Sequence, residues 1–196
     1  MEDERWLSCI LAGPNPSRAD AFRGKLLELA ALDLDVREET PNDAPAIRLW
    51  LARRGIVSPA AYCAAWISAK IEDAAQALGL DPPLRPSAGA LRLAYHAADA
   101  FVRQDRSGVG FTRMRPGDVL VWKRPGASWT GHVGIVTGCD GVRTFTMEAN
   151  VAGDVDDTRQ GVHRKTHRLL DDALWIGFVD WDLVPAFADE EGATAT

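Results

Sequence analysis

Apolar positions recur at three- and four-residue steps through the first half of the chain and at every second residue through most of the second half. The first spacing buries one face of a helix, the second one face of a strand. Ser17 precedes Phe22, Leu26, Leu29 and Ala30 and predicts a capped helix from about 18 to 34. After the Pro41 to Pro45 break, Ala46, Ile47, Trp50 and Leu51 predict a second, shorter helix that stops at Gly55. Ser58-Pro59 then offers a cap with proline at the first helical position. Cys63, Ile67, Ile71, Ala74 and Leu78 continue that stripe until Gly79, the strongest helical pattern in the chain. Pro82, Pro83 and Pro86 make a loop, and Ser87 to about Ala100 reads as a fourth helix with Leu91 and Tyr95 on one side.

Beyond residue 110 the period shortens to two, with Gly and Asp between the runs. Val119 to Lys123, His132 to Thr137, Val142 to Glu148, Val162 to Leu169 and Leu174 to Trp181 are the expected strands of a mostly antiparallel sheet. Helices first and strands second is the order of an α+β domain with its helices on one side of the sheet. The expected organisation is an N-terminal extension over 1–17, ending in Gly13-Pro14-Asn15-Pro16, one folded unit over 18–185, and an acidic flexible tail over 186–196.

Composition narrows the function classes. With 196 residues, 46% hydrophobic and 26% charged, the chain has the make-up of one globular domain. Twenty-two Lys and Arg against 28 Asp and Glu leave a net charge of -6, so the basic field that holds nucleic acid is missing and no nucleic-acid partner is expected. No apolar run approaches the roughly 18 residues of a membrane span. The N-terminus opens Glu2, Asp3, Glu4 where a secretory signal carries positive charge, so synthesis in the cytoplasm without an export signal is expected. Cys9, Cys63 and Cys139 are an odd number, so at least one thiol stays outside any intrachain disulfide.

Cys63 lies near a helix start, where backbone N–H groups and the helix dipole favour a thiolate. It also lies on the apolar face with Ile67 and Ile71, where a cysteine can serve as a small hydrophobe. His132 stands in Gly131-His132-Val133-Gly134, two glycines that clear space around the imidazole for a substrate; an ordinary strand histidine would fit too. Glu148 and Asn150 fall two residues apart on one strand face, where either could orient a histidine or simply meet solvent. His163 and His167 have a metal-like spacing on a helix, but their segment is strand-like and a third ligand is absent nearby, so no metal is expected. No cofactor motif and no G-x-S-x-G elbow occurs.

Four segments taken together, Tyr62-Cys63-Ala64-Ala65-Trp66-Ile67, Arg115-Pro116-Gly117-Asp118-Val119-Leu120-Val121-Trp122, Gly131-His132-Val133-Gly134-Ile135-Val136 and Glu148-Ala149-Asn150, resemble the CHAP family. These are cysteine, histidine-dependent amidohydrolases/peptidases among the papain-like peptidoglycan hydrolases, and the resemblance runs from about residue 25 to 182. It implies a papain-like α+β fold and a cysteine amidase or endopeptidase acting on cell-wall peptidoglycan. Cys63 would be the nucleophile, His132 the base, and Glu148 or Asn150 the orienting group. Tyr62, where the family often has Trp, and Trp129, close to His132, become the expected substrate contacts, while Asp118 is expected to be a turn residue only. Which amide is cut stays open. Such an enzyme would reach the wall by phage- or secretion-mediated delivery, with a delivery apparatus or an immunity partner as its protein contact. The other reading is a noncatalytic module of a phage tail or secretion apparatus that keeps the fold for binding.

Side-chain parity adds a register. A three-residue loop at Cys139-Asp140-Gly141 would pair Gly138 with Val142 and put His132 directly opposite Glu148. Val133, Ile135, Phe145, Met147 and Ala149 would then face the core, and His132, Gly134, Thr144, Thr146, Glu148 and Asn150 the site.

Overall fold

The computed structural model describes residues 16–103, 113–123, 130–140, 142–153, 157–168 and 175–187. Among the described residues four α-helices precede the strands: α1 (Arg18–Ala31), α2 (Pro45–Ala52), α3 (Cys63–Ala77) and α4 (Ala90–Ala97). Six strands follow: β1 (Phe101–Arg103), β2 (Val119–Lys123), β3 (Gly131–Cys139), β4 (Arg143–Ala152), β5 (Gln160–Arg168) and β6 (Trp175–Val179). They form one antiparallel sheet in the order β1-β6-β2-β3-β4-β5, so the fold class is α+β as expected. The short edge strand β1 is the element the sequence pattern does not announce, because three residues are too few to show alternation. The expected N-terminal extension, apart from its last two residues, and the acidic tail from Ala188 lie outside the described residues.

Ser17 caps α1, its hydroxyl accepting from the Asp20 amide at 3.1 Å, a contact worth about 1 kcal/mol. The expected cap of α3 is displaced. Ser58 instead turns its hydroxyl to Asp43 Oδ1, and the helix begins at Cys63 behind Tyr62, without a side-chain cap. Every residue from Tyr62 to Ile71 is buried, so α3 is the central helix, covered by α1 and α2 on one side and by β3 and β4 on the other. Its polar members are satisfied. Ser68 exchanges two hydrogen bonds with the Ser87 backbone, and Lys70 and the Trp66 indole both reach Asp33.

A buried ionic cluster ties α1 to the sheet. The fully buried Arg23 side chain reaches Asp118 at 2.9 Å, Asp180 at 3.1 Å and Asp182 at 2.7 Å. Burial works against the guanidinium charge, but the carboxylates, Asp118 first, more than offset it. Asp118 also accepts from the Arg115 amide, the expected turn bond, and so serves both the turn and the helix. Gly117 is obligatory here: its φ is +94°, and a Cβ would lie 2.5 Å from that of Arg23. The turn is further fastened by Gly117 N to Val136 O and Val136 N to Asp118 O, which fixes β2 against β3 upstream of the site.

The β3–β4 register differs from the expected one. Glu148 pairs with Gly134, Met147 with Ile135 and Thr146 with Val136, while nearer the turn Phe145 pairs with Gly138. A bulge between Val136 and Gly138 separates the two registers, and the turn closes between Asp140 and Arg143. The bulge absorbs one residue, so an odd register at the turn becomes an even one at the site. His132 and Glu148 therefore share a face, as a diagonal pair two residues apart. Val133, Ile135, Met147 and Ala149 do enter the main core; Phe145 does not, lying half-buried under Arg143.

Candidate active site

The first turn of α3 meets β3 and β4. Cys63, 5% exposed, belongs to the apolar core and also hydrogen-bonds the His132 ring. His132 Nε2 lies 2.8 Å from Glu148 Oε2. An ionised carboxylate can only accept, so Nε2 carries the proton. Nδ1, buried and without a nitrogen or oxygen partner, is left for the thiol.

Glu148 is 2% exposed, yet both of its oxygens are occupied. Oε1 accepts from Thr146 Oγ1 and from His167 Nε2, each at 2.5 Å. Burial alone would push its pKa up; hydrogen bonds from His132 and His167 outweigh that and hold it at about 2. Burial likewise opposes charge on His132, but Cys63 and Glu148 outweigh it and its pKa is pushed up to about 9. The two charged forms stabilise each other in a site largely closed to water. The Trp122 ring underlies both imidazoles, with centroids 5.6 Å from His132 and 5.1 Å from His167.

The glycines beside His132 have a different role from the one expected. A Cβ on Gly134 would lie 2.7 Å from Glu148 Cγ, and one on Gly131 would lie 2.5 Å from the Trp122 carbonyl and 2.9 Å from Leu91. The space they leave is filled by protein. Gly134 lets the Glu148 side chain pass over β3, and Gly131 lets α4 approach it.

Other expectations separate. Asn150 does not meet His132: a register shift between Ala149 and Val151 gives it φ +64°, and its amide donates to Asn42 Oδ1 at 2.9 Å and Gln160 Oε1 at 3.2 Å. Tyr62 is fully buried, its hydroxyl donating to Glu38 at 3.1 Å and its ring against Trp50, so it does not face an open groove. Trp129 lies outside the described residues. His163 and His167 do not converge, since His163 Nε2 reaches the Arg159 carbonyl. Among the described residues no group of three or more His, Cys, Asp or Glu side chains could hold a metal ion.

The sequence reading misses His167 and Trp122 as parts of this cluster. Parity alone would nominate His163, which sits directly opposite Glu148, whereas His167 pairs with Thr144 and reaches the carboxylate along the strand.

No curated protein and no solved structure matches the chain. The family model of the CHAP domain matches residues 56–150, a shorter stretch than the resemblance from 25 to 182 but one that contains Cys63, His132 and Glu148. Over residues 56–150 the chain is thus similar to the CHAP domain, a match that implies, in general terms, an amidase-type peptidoglycan hydrolase.

Proposed function

We propose that the protein is a cysteine amidase or endopeptidase that cleaves an amide of cell-wall peptidoglycan, with Cys63 as nucleophile, His132 as general acid and base, and Glu148 as the group that orients His132. The observation that carries this reading is the unbroken relay from Cys63 through the His132 ring to Glu148, placed at the uncapped start of α3. Glu148 fixes the tautomer in which Nδ1 faces the thiol, and proton transfer to Nδ1 gives a thiolate beside an imidazolium.

The thiolate attacks the amide carbonyl carbon. Backbone N–H groups of the first turn of α3 have no intrahelical acceptors and can take the oxyanion. The proton on Nδ1 passes to the leaving nitrogen as the C–N bond breaks, leaving a thioester on Cys63. Water then attacks the thioester, giving one proton to Nδ1, and release of the carboxylic acid restores the thiol. The net reaction is amide plus water to acid plus amine. Asn150 has no part in it.

Digestion of purified cell walls, followed by mass spectrometry of the released fragments, tests the reading. The expected products carry one new amine and one new carboxyl group, fall at a single type of amide, and disappear with Cys63→Ser. Walls that remain intact with the reduced, folded protein would overturn it and leave the binding module as the reading to pursue.

A further inference from the structure

We propose that His167, on β5 and beyond the stretch that matches the family model, is a positioning residue: it grips the outer oxygen of Glu148 so that the inner oxygen stays on His132. This inference rests on the relay proposed above.

A glutamate carboxylate turns freely about its last bond unless both oxygens are held. Here Oε2 is held by His132 alone, whereas Oε1 is held by Thr146 from the same strand and by His167 from the next. Thr146 moves with β4 and so cannot fix Glu148 relative to a second strand. His167 can, because it ties the carboxylate to β5 and rests against the Trp122 ring of β2, the ring that also touches His132. The carboxylate is therefore fixed from β3, β4 and β5 over a floor supplied by β2.

A solvated strand-face histidine is the alternative for His167, and its 24% side-chain exposure allows one. The neighbouring histidine shows the difference. His163 stands directly opposite Glu148, yet its ring turns to the Arg159 carbonyl and packs by Gly153. Proximity in register is thus insufficient, and the side-chain bond from His167 is specific.

The test compares alkylation of Cys63 by iodoacetamide across the pH range, followed by peptide mapping, in the full-length protein and four variants. His167→Phe keeps an aromatic ring but removes the donor, and should slow alkylation at neutral pH roughly tenfold, the effect of losing one charge-assisted hydrogen bond. Its acid limb should move to higher pH, because Glu148 loses a partner that holds it ionised. His167→Gln supplies an amide N–H and should recover most of both, while His163→Gln should follow the wild type. Unchanged rate and profile in His167→Phe would overturn the proposal. So would His167→Gln behaving as badly as His167→Phe, since that points to packing alone. His132→Ala separates the two readings: wild-type alkylation in that variant sinks the relay itself, whereas its loss beside an unaffected His167→Phe sinks only the role of His167.

Discussion

Adding a single methyl group at Gly134 should disable the site while leaving the protein folded. The Cβ of Gly134→Ala would stand 2.7 Å from Glu148 Cγ, 3.2 Å from the Met147 carbonyl oxygen and 3.4 Å from the Trp122 ring. Ordinary contact begins at 3.4 Å, so Glu148 must retreat by roughly 0.7 Å. It cannot do so cheaply, because its carboxylate is held by His132, Thr146 and His167. Displacement by that amount stretches the 2.8 Å bond to His132 out of hydrogen-bond range. Overpacking of this kind costs about 1–3 kcal/mol, and misplacing a catalytic group by about 1 Å costs on the order of a hundredfold in rate. Gly138→Ala on the same strand is the control, since its Cβ would meet only Phe145, at an ordinary 3.6 Å. Clearing of purified cell walls, read beside thermal unfolding, should show Gly134→Ala slowed by about one to two orders of magnitude with a modestly lower Tm, and Gly138→Ala near wild type in both. Wild-type clearing by Gly134→Ala would refute the claim that this glycine exists to let Glu148 pass.

Cys63→Ser and His132→Ala should each abolish wall hydrolysis while Cys139→Ser retains it, because Cys139 lies at the far end of β3, outside the relay; hydrolysis by Cys63→Ser would end the nucleophile assignment. Arg23→Leu leaves Asp118 and Asp180 buried without their shared cation and should cost about 3–5 kcal/mol, a drop in Tm of about 10 °C; an unchanged melting curve would show that the cluster is dispensable. The pH dependence of stability should have two limbs. His132 is raised from 6.5 to about 9, so its contribution is complete below 6.5 and fades as pH rises through 9; Glu148 is lowered from 4.5 to about 2, so its contribution is complete above 4.5 and fades as pH falls through 2. Denaturant unfolding across pH should therefore lose the acid limb in Glu148→Gln and show a smaller alkaline limb, since Cys63 still favours the charged His132, and a variant that keeps the wild-type curve would contradict the coupling.

Local patterns determined much of this protein. The α+β order, four helices and five of the strands follow from apolar period and from glycine and proline breaks, properties that each segment carries by itself, whereas the association of Cys63 with His132 and Glu148 was implied by the resemblance to the CHAP family. Parity on the strands even placed His132 and Glu148 on one face, although through the wrong turn. Only the tertiary structure decided the rest. The bulge between Val136 and Gly138 lies just past the last β2–β3 pair, Val119 with Ile135, and the apolar alternation of that stretch does not signal it. The left-handed backbone at Asn150 turns its amide away to Asn42 and Gln160, and the packing of α2 and α3 seals Tyr62 inside. His167 and the glycines show the same limit from the other side. A long side chain on a twisted sheet can reach past the residue opposite it, and a glycine's empty volume can be meant for protein or for substrate. Which of these occurs depends on the three-dimensional neighbours of a residue, brought together from segments far apart in the chain, and a one-dimensional pattern does not contain them.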